Sequence, residues 1–235
     1  MIKGLYNSAV NMNSRMKNLE IISTNLANIN TTGYKREIPF SEYMSREDGV
    51  QLKQITDFTE GDLSETGNPF DLAITGNGFF MIQTEAGVEL TKNGKFSISE
   101  EGYIINDMGD KVLSTNGAVN IYDSVVDKNK PIEITKEGEI KQGELIVDKL
   151  LITKVENQEG MRRIGGQNYM FDNMNYEPAA ETDYQIHQGY LENSNTNPIV
   201  ELENMIRVSK DYEASQKMIK AFDSILSQSK EIGRI

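Results

Sequence analysis

The 235-residue sequence contains no cysteine and no tryptophan, one histidine and five prolines. Without a thiol there is no disulfide framework, no thiolate zinc site and no cysteine nucleophile. His187 has no second histidine to complete a metal set, so a surface imidazole is a plainer reading than a base or ligand. No Gly-x-Ser-x-Gly elbow occurs. Gly76-Asn-Gly78 lacks the third glycine and following helix of a dinucleotide loop, and Gly94-Lys95 lacks the remainder of a phosphate loop. Carboxylates are abundant, but no pair stands out, and a carboxylate-dependent hydrolase stays the enzymatic rival. The expectation is a non-enzyme with no cofactor and no metal. No apolar run approaches the ~20 residues that span a bilayer, and the N-terminus lacks the apolar core of a cleavable signal peptide, so neither membrane insertion nor signal-peptide export is expected.

The net charge of −12 argues against nucleic acid, which demands clustered Lys and Arg. The charge is uneven. Residues 1–36 carry Lys3, Arg15, Lys17, Lys35 and Arg36 against Glu20, residues 190–235 are nearly balanced, and the middle is strongly acidic. A basic arm on an acidic body suits self-association between unlike surfaces, and a solvated acidic surface is the equal alternative.

Each end of the chain holds a heptad-like seam. Ile2, Leu5, Ala9, Met12, Met16, Leu19, Ser23 and Leu26 follow steps of three and four, and so do Met205, Val208, Tyr212, Ser215, Ile219, Phe222, Leu226 and Ser229. Such narrow stripes suit a partner helix, either the opposite terminus or a neighbouring copy. Met12 and Met16 add adaptable packing. The first helix is expected to stop near Asn30, where Asn25, Asn28 and Asn30 weaken helix propensity and Gly33 offers a left-handed cap. Asn25 and Asn28 also serve, on a second reading, as polar layers that fix helix register. Asn197 as N-cap and Pro198 at the first helical position start the last helix.

Between the ends, the period changes to two from Phe70 to about Phe171. Short β-prone segments are punctuated by Asn77-Gly78, Asn93-Gly94, Asn116-Gly117, Glu101-Gly102 and Glu137-Gly138, which read as hairpin turns. No helical pattern separates the strands, which argues against a parallel sheet. The expected fold is α+β: N- and C-terminal helices pairing as a coiled coil, with an antiparallel β-rich body between them. The expected boundaries are 1–33 for the N-terminal helix, 34–69 for an extended polar connector with a β-like piece at Gln51–Ile55, 70–188 for the body, and 189–235 for the C-terminal helix. Residues 172–197 read as a polar linker.

Three motifs carry a resemblance. Ile22-Ser-Thr-Asn-Leu-Ala-Asn-Ile-Asn-Thr-Thr-Gly-Tyr-Lys35 resembles the N-terminal signature of the bacterial flagellar rod and hook family, and Gly189-Tyr-Leu-Glu-Asn-Ser-Asn-Thr-Asn197 with Met205-Ile206 and Tyr212-Glu213 resembles its C-terminal one. Gly67-Asn-Pro-Phe-Asp-Leu-Ala-Ile-Thr-Gly-Asn-Gly-Phe-Phe80 and Leu90-Thr-Lys-Asn-Gly-Lys-Phe96 are similar to its rod-type body, while residues 157–188 match no motif. The resemblance implies a structural subunit of the basal-body rod that spans the periplasm, polymerising through its terminal helices into a torque-transmitting axial tube. It implies as partners copies of the chain, other rod and hook axial proteins, and the flagellar type III export apparatus. The short body points to the rod, and Ser215-Gln-Lys-Met218 with Asn197-Pro198 points to its proximal type. A distal rod or hook-type subunit is the alternative, and a monomeric module with an amphipathic N-terminal helix is a further rival. The assembly-interface residues implied are Leu5, Met12, Met16, Leu19, Leu26, Asn25, Asn28, Asn30, Gly33, Met205, Val208, Tyr212, Ile219, Phe222 and Leu226.

Overall fold

A computed structural model describes residues 2–38, 55–122, 131–155, 158, 161–171 and 177–232. The chain forms two compact units. One contains Met1–Ile29, Arg36–Asp57 and Thr196–Ile235, and the other Asn30–Lys35 and Phe58–Asn195.

The first unit holds both long helices. Helix α1 runs Ile2–Ala27 and α2 runs Pro198–Ile232. The start of α2 follows from local chemistry. Asn197 Oδ1 accepts from the Ile199 and Val200 amides at 3.0 and 3.4 Å, and Pro198 occupies a position that needs no amide hydrogen bond. At the other helix's end, Asn28 Nδ2 donates to the Thr24 carbonyl at 2.8 Å, so a side chain covers a terminal carbonyl. Strand β1 (Glu37–Ile38) pairs antiparallel with β2 (Ile55–Thr56). The β-like piece expected at 51–55 lies outside the described residues except for Ile55.

The second unit is the β-rich body, and every strand pair described in it is antiparallel. Its central strand is β5 (Gly78–Thr84), flanked by β6 (Gly87–Thr91) and β9 (Lys111–Ser114). The two-residue period of β5 sends Phe80 and Ile82 into one core and Phe79 and Met81 into another. In the first core Phe80 meets Phe96 edge to face at 5.1 Å; in the second Phe58 meets Phe79 and Tyr169.

Several connections differ from the sequence expectation. Asn116-Gly117 does turn a hairpin, from β9 into β10 (Gly117–Ala118). Asn77-Gly78 and Asn93-Gly94 do not. Strand β4 (Leu72–Gly76) pairs with β18 (Tyr184–Gln188), over a hundred residues away, rather than with β5. Gly94 is needed for close approach instead, since a Cβ there would lie 1.6 Å from the Leu72 carbonyl oxygen. The expected linker 172–197 also contains strand: β18, and β19 (Tyr190–Glu192) paired with β3 (Leu63–Glu65). His187 therefore sits in a ladder opposite Ala73, with Nε2 3.2 Å from Thr75 Oγ1. Nor does Gly33 cap α1. Its φ of +68° lets it pass within a Cβ's width of the Asn93 backbone, and its amide donates to the Glu192 carbonyl at 2.7 Å.

Candidate functional site

Within the first unit, α1 and α2 pack antiparallel in one register. A Cβ on Gly4 would touch Phe222, Ser8 Oγ lies 3.5 Å from Met218 Sδ, and Arg15 Nη1 lies 3.4 Å from Asp211 Oδ2. Steps of four and seven along α1 match steps of four and seven along α2, the spacing of a heptad face. The Arg15–Asp211 pair is partly exposed and contributes under about 1 kcal/mol. The same register brings Asn18 level with Val208, and both are buried.

On α2 the face turned inward is the apolar stripe read from the sequence. Val208 is buried, and Met205, Tyr212, Ile219 and Phe222 are half-buried. On α1 the inward line is Gly4, Ser8, Arg15, Asn18, Ile22 and Asn25, each of them one residue before a member of the apolar stripe and so about 100° around the helix from it. Met12, Leu19 and Leu26 are half-buried along its border, whereas Met16 is 47% exposed. The side chains of Leu5 and Leu226 lie outside the described residues.

Of the asparagines, Asn25 is fully buried and exchanges two hydrogen bonds with the backbone of Glu37, at 2.8 and 2.9 Å, which ties β1 back to the helix. Asn28 is half-buried, and Asn30, in the second unit, is exposed. Asn18 is different. It is 1% exposed, and neither amide atom finds a hydrogen-bond partner among the described residues.

Buried charge is what the motifs conceal. In the body, Lys35 Nζ meets Glu192 Oε1 at 2.5 Å with both side chains 1% exposed, and it also donates to the Thr59 carbonyl at 2.8 Å. Gly61 N adds a donor to the same carboxylate oxygen. The guanidinium of Arg163 stacks 4.3 Å above the Tyr34 ring and donates to the Lys35 carbonyl and the Tyr169 hydroxyl. In the helical unit, the next residue, Arg36, pairs through Nε with Glu201 Oε1 at 2.5 Å, and Glu201 is fully buried at the first turn of α2. Sequence reasoning did not pick out Lys35, Arg36, Glu192 or Glu201. The available signal was their position inside or beside the signature motifs.

Lys92 is a second buried lysine of the body. Its Nζ donates to the Gly76 carbonyl at 2.8 Å and lies 5.1 Å from the Phe79 ring centroid. Burial pushes its pKa down to about 8 from 10.5; Glu192 opposes the shift, Lys35 adds to it, and Glu60 opposes it. Between about pH 8 and 10.5 the unfolded chain therefore holds more protons than the folded one, and Lys92 makes stability rise with pH across that window. Below pH 8 its penalty is present in full. Urea titrations of the full chain at pH 8 and pH 10.5 are expected to show a gain on the order of 2 kcal/mol that Lys92→Met removes; an equal rise in the variant assigns it to other groups.

Among the described residues there is no group of three or more potential metal-ligating side chains, and no helix is long and apolar enough to cross a membrane. Comparison with known proteins finds three family profiles along the chain. Residues 5–35 match "Flagella basal body rod protein", 73–142 match "Flagellar hook protein FlgE/F/G D1 domain", and 187–232 match "Flagellar basal body rod FlgEFG protein C-terminal". The chain is 31% identical over 219 residues to the flagellar basal-body rod protein FlgF of Caulobacter vibrioides, covering 86% of each chain. It is 29% identical over 214 residues to FlgF of Mesorhizobium japonicum, covering 87% of this chain and 86% of the relative. It is 27% identical over 258 residues to the rod protein FlgG of Buchnera aphidicola, covering 97% and 98%.

Proposed function

The chain belongs to the flagellar basal-body rod protein family, and on that premise we propose how this subunit builds a rod. It is a structural component of the basal body, assembling with other flagellar axial proteins. Its helices α1 and α2 pair as an antiparallel coiled coil, and such pairs stack with those of neighbouring subunits into an axial tube. The observation that carries this reading is the constant register of Gly4 with Phe222, Ser8 with Met218 and Arg15 with Asp211. A rod must share torque among many lateral contacts. Helix seams burying apolar area at ~25 cal/mol per Å² supply contacts that are individually modest and strong in number. Unlike faces joined head to tail generate an open helical polymer rather than a closed ring.

The subunit reaches the rod as an unfolded chain through the flagellar export apparatus, a route that the absence of cysteine suits. We read it as a proximal rod subunit. The short body, with no room for an additional outer domain, supports that assignment, as do Asn197-Pro198 and Ser215-Gln-Lys-Met218; a distal or hook-type position is the alternative.

Deleting residues 1–32 tests the assembly mechanism. The truncated protein is expected to remain soluble with its β body folded and to be missing from isolated basal bodies, leaving cells non-motile. Rods that incorporate the truncated chain normally would refute assembly through the terminal helices.

A further inference from the structure

Three Asn-Gly pairs occur in the sequence, at 77–78, 93–94 and 116–117. In such a pair the main-chain nitrogen of the glycine can attack the asparagine carboxamide, because glycine brings no Cβ into the path and lets the backbone follow. The attack needs a carboxamide free to turn and a main chain free to move. The fold decides which pair has both.

Two of the three are locked. Asn93 Oδ1 accepts from the Thr32 hydroxyl and the Lys95 amide, both at 3.1 Å, and Gly94 is buried against the Leu72 carbonyl. Asn77 is exposed, but Gly78 is buried at the head of β5 opposite Lys154, where a Cβ would lie 2.6 Å from Ile152, and the Asn77 amide donates to the Asp183 carbonyl at 3.1 Å. At the third pair both residues are exposed, and a Cβ on Gly117 would meet nothing within 4 Å. Gly117 pairs with Ser114 in the terminal rung of the short β9–β10 hairpin, and exposed terminal rungs open at little cost. The carboxamide has one tie: Asn116 Nδ2 donates to Asp148 Oδ1 at 3.1 Å, on β13 (Leu145–Lys149), in contact with solvent that can replace the bond.

We propose that Asn116 is a deamidation site of the folded chain, and that its conversion turns the contact between the β9–β10 turn and β13 from a hydrogen bond into a repulsion. The Gly117 nitrogen gives up its proton to the solvent and bonds to Asn116 Cγ; the Cγ–Nδ2 bond breaks, ammonia leaves, and a five-membered imide remains. Water then opens the ring at either carbonyl, leaving aspartate or isoaspartate at position 116. Water is the sole co-reactant. The new carboxylate stands where the amide donated to Asp148, so two like charges meet at hydrogen-bond distance. Lys149, the next residue, is already committed to Glu181. What still holds the turn to β13 is the Thr115 amide, which donates to the Lys149 carbonyl at 3.0 Å. The isoaspartate form also adds a methylene to the main chain of a turn whose register depends on its length.

The native full-length protein would be held in mildly alkaline buffer, with a parallel sample in urea, and the three Asn-Gly peptides followed by mass spectrometry after digestion. In the folded chain the peptide containing 116–117 is expected to gain its acid and isoaspartyl forms several times faster than the other two, and in urea the three rates are expected to draw together. Conversion at 77 or 93 as fast as at 116 in the folded chain overturns the assignment. So does a folded chain that stays intact at 116 while the urea sample converts. The consequence is read separately, by hydrogen exchange on Asn116→Asp. Its Thr115 amide is expected to exchange several times faster than in the native chain, and adding Asp148→Asn, which restores a carboxylate–amide pair in the reverse sense, is expected to bring protection back. Unchanged exchange in Asn116→Asp refutes the repulsion.

Discussion

Replacing Glu192 with alanine is expected to cost the β body about 3–5 kcal/mol, because it strands the ammonium of Lys35 in a site where both side chains are 1% exposed. Marginal domains hold only about 5–15 kcal/mol, so the loss is a large part of the total. Glu192 Oε1 accepts from both Lys35 Nζ and the Gly61 amide, and the alanine variant leaves both donors without that acceptor. Lys92 lies within the field of the same carboxylate, which adds a second poorly compensated cation. Urea denaturation followed on the body's strands reads the effect. The double variant Lys35→Met with Glu192→Leu is expected to recover much of the loss, since it buries no unpaired charge, although the Gly61 amide stays unsatisfied. A cost below about 1 kcal/mol for Glu192→Ala would show a pair screened by solvent, as exposed pairs are.

The second large effect lies in the helical unit. Arg36→Met is expected to cost about 3–5 kcal/mol by leaving the carboxylate of Glu201, fully buried at the start of α2, without its guanidinium partner. Glu201 Oε2 already lacks a hydrogen-bond partner among the described residues, so the variant exposes the full cost of the buried charge. The defect should be local. Hydrogen exchange is expected to lose protection over 2–27 and 198–232 while the amides of β5, β6 and β9 keep theirs. Equal loss in both units would mean that the pair supports a single cooperative fold, and unchanged protection would mean that the charge is reached by water.

Much of this architecture could be read before any coordinates. Both helices and the first turn of α2 depend on neighbours a few residues away, through the Asn197 cap and the fixed φ of Pro198, and such local signals survive in sequence. The β character of the body was equally plain from its two-residue period. Strand partners were not. Asn-Gly at 77–78 and 93–94 has the composition of a hairpin, yet a hairpin also requires the flanking strands to pair with each other, and β4 pairs with β18 instead. Strands of two to five residues such as β3, β18 and β19 are too short to show a period, and they exist because a distant segment completes their hydrogen bonds.

The candidate interface divides in the same way. The α2 stripe through Met205, Val208 and Tyr212 faces inward along the line that hydrophobic spacing marks. In α1 the spacing marks one line and the inward face uses its neighbour, because a helix of mixed polarity offers two adjacent stripes about 100° apart and only a partner decides which is covered. Lys35 and Glu192 make the point most sharply. They stand 157 residues apart, and composition gives every charged side chain a surface by default. By itself the sequence determined the two long helices, the Asn197 cap of α2, the β character of the body, the absence of thiol chemistry and the family motifs, since each rests on short-range covalent and conformational preference. The tertiary structure alone decided which strands pair, which face of α1 turns inward and which charges are buried, since desolvation and long-range hydrogen bonding act only once distant segments meet.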